Sequence, residues 1–522
     1  MSIKKHKLLA NTYRDSVALM QLSAGISNRP GIEQAFAMMA TPANMELLVE
    51  AGLIIAPIKA GPSDLLLALS GETETAIDEA IDAFETALDD TGANQSESTD
   101  AGAMAPRSIE MALGDMPQAS LALISCPGEY AAAEARKALQ LGLDVMLFSD
   151  HIALEDEVEL KAYADAHNRL VMGPDCGTAI IDGIPLGFAN VVNPGNIGIV
   201  AASGTGLQQV SCLIDSWGGG ISQAIGTGGR DLNSKVGGRT MIRAIEQLSH
   251  DADTKVIVLV SKPPAPEVAA AVSEKARRAG KPVIINFLGA DMSTLGGGNI
   301  VAAETLEQAA HTAFHIAQSG ARSPDAPRPF PVSQRDIDRL VAGLASSQKY
   351  VRGLYSGGTF SYEAMLLLGQ VIGPVHSSTP VNKDYRLNDI WTSTGNTVVD
   401  LGDDRFTRGR PHPMIDQRLR NDRMEQEAAD PETAVILLDV VLGYGSHLNP
   451  MEEIGPAIAK AKAIAKNQGS NPIFVSFVCG TDKDPQNKTQ QEMALKASGV
   501  IVVDNNTQAV RLAAEIIRQV QP

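Results

Sequence analysis

Four blocks of sequence occur twice in the same order. The first copy opens at Ile197-Gly198-Ile199-Val200-Ala201-Ala202-Ser203-Gly204-Thr205-Gly206, and the second at Arg352-Gly353-Leu354-Tyr355-Ser356-Gly357-Gly358-Thr359. Residues 251–257 then match 430–436, 281–287 match 471–477, and 300–303 match 501–504. Each block is a short apolar run bounded by turn residues, and helical patterns lie between the runs. That is the rhythm of parallel strands and crossover helices. A chain that carries this unit twice must build two like α/β domains. A Pro-rich linker over 323–332 joins them, and the second copy carries an insertion of about 25 residues between its first two blocks.

The sequence before the repeat is organised differently. Residues 119–192 read as βαβ units, half of a doubly wound sheet. In residues 1 to 90, apolar runs at 32–39 and 64–69 alternate with helical patterns at 44–51 and 73–88, a small α+β module. Residues 89–117 are rich in Asp, Gly, Ser and Pro and read as a linker. The expected division is an α+β module over 1–112, a partial Rossmann-like domain over 113–193, and flavodoxin-like domains over 194–325 and 333–522. The fold class is α/β throughout.

Composition narrows the function. Only 4% of residues are aromatic, so the cores rest on Ala, Val, Ile and Leu, which suit strands buried on both faces. A net charge of −18 argues against nucleic acid and anionic membrane as partners. It leaves room for a small anionic metabolite, which backbone amides can bind locally. The cysteines Cys126, Cys176, Cys212 and Cys479 are widely spaced, as expected of reduced thiols in a cytoplasmic protein. No H-x-x-x-H, C-x-x-C or H-E-x-x-H spacing is read in the chain, so no metal site is expected. No G-x-x-x-x-G-K-[ST] loop occurs either.

In a parallel sheet, ligands bind beyond the carboxyl ends of the strands. Ser203, Gly204, Thr205 and Gly206 stand there in the first copy, and Gly357, Gly358 and Thr359 in the second. Glycines let backbone approach an anion, and helix-start amides and hydroxyls donate to it. Each turn alone is also an ordinary capped connection; the recurrence favours phosphate. Gly228, Gly229, Arg230 and Asp231 form a second glycine-rich loop, in which Arg230 either clamps a substrate anion or pairs locally with Asp231. Arg410, His412 and Asp416 are read as part of the insertion in the second copy, in a loop dense in charge. His447 follows a strand of that copy. His412 or His447, with Asp416, are the expected catalytic residues, because imidazole exchanges protons near neutral pH. Arg410 is an expected substrate ligand. The competing readings are a solvated loop and a helix cap at Asp416. Cys176 has no histidine partner nearby and is not favoured as a nucleophile.

These motifs resemble succinyl-CoA synthetase. Met172-Gly173-Pro174-Asp175-Cys176 is similar to an I-G-P-N-C motif of its α subunit, and Gly198 through Thr205 to its G-I-V-S-R-S-G-T. Residues 350–520 resemble the carboxy-terminal ligase domain of the β subunit. Over nearly the whole chain the closer resemblance is to the FdrA family. It rests on Asp15-Ser16-Val17, residues 172–180, 226–231 and 261–266, His412-Pro413-Met414-Ile415-Asp416, and Leu442 through His447.

The departures are informative. The synthetase histidine belongs in a loop after residues 283–288, yet no histidine occurs between Asp251 and Ala310. The first CoA-binding glycine turn and the ATP-grasp module are missing too. The FdrA resemblance implies a transferase of the oxamate carbamoyltransferase kind, acting with partner subunits in purine or allantoin catabolism. Such an enzyme converts oxalurate and phosphate to oxamate and carbamoyl phosphate. The alternatives are a CoA ligase completed by a partner, in which CoA binds, and a non-catalytic subunit of a metabolic complex. A homo- or hetero-oligomer is expected in each case.

Overall fold

The computed structural model describes all residues except 1, 55–57, 94–105, 321–331, 409 and 522. The linker over 323–332 therefore lies almost wholly outside the described residues.

The two copies of the repeat form two parallel sheets with the same winding. In the first, strand Pro194–Ala201 lies between Ile221–Gly226 and Val256–Ser261, and Val283–Phe287 and Ile300–Ala302 follow outward. In the second, Tyr350–Tyr355 lies between Asn396–Asp400 and Thr433–Val441, followed by Ile473–Cys479 and Ile501–Val503. All these pairings are parallel. Both copies thus have the flavodoxin-like order 2-1-3-4-5, whose switch point lies beside the first strand. The central strands are apolar throughout, as burial on both faces requires.

The same residue types punctuate both copies. Thr305 and Asn505 cap the equivalent closing helices Leu306–Ser319 and Asn506–Val520, each accepting an N–H three residues on. One apolar core runs through both domains and includes Ile199, Val258, Phe360 and Val435. Buried polar groups cross the join. Glu363 accepts from the Leu306 N–H at 2.8 Å and from Asn506 Nδ2 at 2.8 Å. Glu307 accepts from Asn505 Nδ2 at 2.9 Å and Gln508 Nε2 at 2.7 Å.

Three sequence expectations shift. The hairpin Thr178–Ile181 and Ile184–Gly187 was assigned with the Rossmann-like domain, but it pairs antiparallel onto Ile221–Gly226 and extends the first repeat sheet. The preceding sheet is left with Leu121–Ile124, Asp144–Leu147 and Val171–Met172. The linker over 89–117 contains the end of helix Glu74–Ala93 and a further helix Ile109–Asp115, which Ser108 caps. The extra length of the second copy falls mainly before strand Asn396–Asp400, where Val375–His376 adds an edge strand. The loop carrying Arg410 and His412 is therefore the counterpart of the Gly228–Asp231 loop.

The N-terminal module is a three-stranded antiparallel sheet, Ile3–Leu9, Leu65–Gly71 and Ile32–Met39 in spatial order. The first strand and the helix Ser16–Ser27 were not anticipated. No helix among the described residues is long and apolar enough to cross a membrane.

Candidate functional site: two opposed helix starts

The repeat brings two helix N-termini together. Ser203 ends the first strand of copy one and caps helix Gly204–Ser216, accepting the Gly206 N–H at 3.0 Å. Gly357 stands at the same place before helix Gly358–Ile372. Ser203 Oγ and Thr359 Oγ1 are in direct hydrogen-bond contact across the gap. A Cβ on Gly357 would come within 3.0 Å of Thr205, so the close approach itself requires glycine there.

The first N–H groups of a helix lack an intrahelical acceptor. The Gly206 N–H is taken by Ser203, and the Gly357 N–H donates to Asp439 at 2.8 Å. The Gly206 and Gly357 N–H groups are thus committed within the two turns, where these glycines allow close backbone approach. The N–H groups of Gly204, Thr205, Gly358 and Thr359 remain for an anion, and both helix dipoles add positive potential. Asp439 braces the turn from beneath. It accepts from the Ser356 N–H at 2.8 Å and the Ser356 hydroxyl at 2.9 Å, and pairs with Arg420 at 2.8 Å.

Charged groups not among the expected site residues complete the gap. Lys262 follows strand Val256–Ser261, at the switch point of copy one. Its ammonium lies 3.5 Å from where a Cβ on Gly358 would stand. Asp400 ends strand Asn396–Asp400, with an oxygen 2.5 Å from the same point, and accepts the Gly402 N–H at 3.0 Å. Burial pushes the Asp400 carboxyl up to about 7, against the opposing pull of Lys262 and that N–H. Asp175 stands on the cleft wall with a left-handed backbone, φ 53°. It is open to cleft water. Enclosure and the neighbouring Asp150 and Asp404 carboxylates raise it to about 6.

The gap opens into a cleft of about 1600 Å³. Tyr13 and Arg14 of the N-terminal module, Asp150 of the Rossmann-like domain and both repeat domains line it. Gly228, Gly229, Arg230, Arg410 and His412 all face it. Arg230 is held by Glu157 at 3.0 Å and by the Ile152 carbonyl at 2.9 Å. Arg410 lies over the Trp391 ring at 5.7 Å.

His412 differs from expectation. Its Nδ1 accepts the Met414 N–H at 3.2 Å, which leaves the ring proton on Nε2, beside Gly402. Burial, helped by Arg420, lowers its pKa to about 4. It is a neutral hydrogen-bond donor at physiological pH and does not exchange protons near neutrality.

Three expected residues do not reach the cleft. Asp231 is fully buried, accepts the Thr240 and Met241 N–H groups at 3.1 and 3.0 Å, and pairs with Lys161 at 2.8 Å. Asp416 accepts the Arg418 N–H at 3.0 Å and is clamped by that guanidinium. Both acids hold helix starts and belong to the scaffold, not to substrate or catalysis. His447 turns away to Glu453 at 3.3 Å, and its Nδ1 accepts the Asn449 N–H at 3.0 Å. The Glu453 carboxylate raises its pKa, and the pair lies outside the cleft.

Comparison with known proteins agrees with this architecture. An uncharacterized Escherichia coli K12 protein, YahF, is 42% identical over 512 residues, 97% of each chain. The chain belongs to the YahF family. Within it, residues 354–516 match the CoA-ligase family model, 192–289 the CoA-binding domain model, and 1–105 that of the AllF heavy metal-associated domain. The α subunit of the ADP-forming succinate–CoA ligase of Staphylococcus epidermidis is 26% identical over 148 residues, 28% of this chain and 48% of that protein. The YahF-family chain is thus a CoA-ligase-like, succinyl-CoA-synthetase-like protein. A solved dinucleotide-forming acetyl-coenzyme A synthetase from Ca. Korarchaeum cryptofilum is 13% identical and covers 81% of this chain and 88% of its own. Its TM-score of 0.34 is too low to argue from.

The N-terminal match raises heavy-metal binding, and the residues do not fit it. Residues 1–105 hold no cysteine and one histidine, His6. Soft metals take thiolate, thioether or imidazole sets, and this module offers no thiolate and a single imidazole.

Proposed function

We propose that the cleft transfers an acyl group between inorganic phosphate and a second acceptor, with carbamoyl as the favoured group. The contact of Ser203 and Thr359 across two opposed helix starts, beside Lys262 and Asp400, carries this reading. That arrangement suits a phosphate held by backbone amides, hydroxyls and one ammonium. The sequence between Asp251 and Ala310 has no histidine to carry a phosphoryl group, and a short helix Met292–Leu295 occupies the corresponding stretch. A donor that already contains an activated phosphate needs no such carrier.

In the oxalurate direction, a phosphate oxygen attacks the ureido carbonyl carbon. The carbon–nitrogen bond breaks, carbamoyl phosphate forms, and the oxamate nitrogen takes a proton. Neutral Asp400 supplies that proton, since a pKa of about 7 keeps much of it protonated near neutral pH. His412 Nε2–H hydrogen-bonds the developing oxyanion without changing charge. Arg230 and Arg410 hold the carboxylate end. A partner subunit then consumes or supplies the carbamoyl phosphate.

A second reading keeps the anion site and makes CoA the acceptor; the matches over 192–289 and 354–516 favour it. One experiment separates the two. The purified chain is given oxalurate and phosphate, or carbamoyl phosphate and CoA, and products are followed by phosphorus NMR. Carbamoyl phosphate from the first mixture supports the transferase. A thioester from the second, with no reaction in the first, replaces it with the CoA reading. Turnover in neither mixture, with no phosphate-induced rise in melting temperature, sinks both.

A further inference from the structure

The helix that closes copy one carries a metal-ligand spacing that the sequence reading passed over. His311-Thr312-Ala313-Phe314-His315 places two imidazoles four residues apart on helix Leu306–Ser319. Residues at i and i+4 share a helix face. Here their Nε2 atoms converge to 2.9 Å. The rings are tilted at 63° and half-buried. Trp217 stands edge-on to His311 at 5.8 Å, and Phe314 packs against His315 at 5.6 Å. This corrects the expectation that no metal-binding pattern exists.

From these atoms we propose a divalent transition-metal site at His311 and His315, distinct from the anion cleft. Two nitrogens bound to a metal at about 2.05 Å and set 90° apart are separated by about 2.9 Å. A tetrahedral angle would separate them by about 3.3 Å. The observed spacing fits a right-angle bite. That is the geometry of tetragonal Cu²⁺ and Ni²⁺ on nitrogen ligands. The alternative use of the pair is one imidazole donating its N–H to the other. Metal displaces that proton and takes both lone pairs. Among the described residues no group of three or more His, Cys, Asp or Glu forms a metal site, so the proposal stands on the two imidazoles. The site lies at the far end of helix Gly204–Ser216 from Ser203, about 20 Å away by helix rise, so it takes no part in chemistry at the cleft.

The test uses the full chain without an affinity tag, in a W391F background so that Trp217 is the sole tryptophan. Cu²⁺, Ni²⁺ and Zn²⁺ are titrated separately while fluorescence is recorded. One Cu²⁺ per chain should quench Trp217, with affinity in the order Cu²⁺, Ni²⁺, Zn²⁺. H311Q and H315Q should each weaken binding at least tenfold. Melting curves confirm that both variants remain folded. Quenching that survives H311Q/H315Q, or a stronger response to Zn²⁺ than to Ni²⁺, would overturn the site. Absence of quenching in the folded parent would do the same.

Discussion

Ser203 and Thr359 lie 156 residues apart in the chain and meet hydroxyl to hydroxyl. Each begins the helix that follows the first strand of its copy. A hydrogen bond to a charged group contributes about 1.5–3 kcal/mol. Removing both hydroxyls in S203A/T359A should therefore weaken phosphate binding by at least tenfold, read as loss of phosphate-induced thermal stabilisation. T359S keeps the donor and should bind nearly as the parent does. Equal binding by S203A/T359A and the parent would remove the anion from this gap.

Asp400 gives a pH signature with a definite sign. Its carboxyl titrates near 7 in the folded chain against an ordinary value of 3.8. The unfolded chain thus loses this proton first, and stability falls as pH rises from about 4 through 7. The shift corresponds to roughly 4 kcal/mol. D400N should lose that component of the slope and melt higher than the parent at pH 8, while phosphorolysis collapses. Parallel melting profiles for the two proteins between pH 4 and 8 would refute it.

His412 should leave no inflection near pH 6.5 in the rate profile, because its ring stays neutral down to about pH 4. Loss of its Nε2–H in H412A should lower turnover about 10²-fold, by the same factor from pH 6 to 9. An inflection near 6.5 that disappears in H412A would restore it as a proton shuttle.

Asp231 and Arg230 are neighbours with opposite expected effects. D231A leaves Lys161 buried with one carboxylate partner, Glu157, and two helix N–H groups without their acceptor. It should cost about 3–5 kcal/mol in urea unfolding. R230A removes a half-exposed side chain and leaves Glu157 its Lys161 partner, so it should cost less stability than D231A while raising the apparent KM for a carboxylate substrate. The reverse pattern would exchange their roles.

The repeat made the sheets legible. Residues 251–257 and 430–436 look alike because both feed the third strand of the same winding, buried on both faces. The two glycine turns that open the helices stood out for the same reason. The acids were not. Asp231 and Asp416 sit in glycine- and proline-rich loops, as substrate ligands do, yet each reaches forward to helix-start N–H groups, and local sequence does not distinguish the two uses. Lys262 lies inside the motif over 261–266 but nothing there singles it out, and Asp400 belongs to no motif. What marks both is position: each follows or ends a strand next to the first strand of its copy. His447 was misread because strand ends fix where a side chain starts, not which way it turns, and Glu453 draws it away.

The apolar core that runs through both domains has a consequence for dilution. When two helix starts that form one site come from separate chains, the site exists only above the dissociation constant of the pair. Here the two halves share one polypeptide and one core. The half-sites cannot part without unfolding, and neither can exchange with a foreign partner. The anion gap should persist unchanged at any protein concentration, and its occupancy should depend on ligand alone.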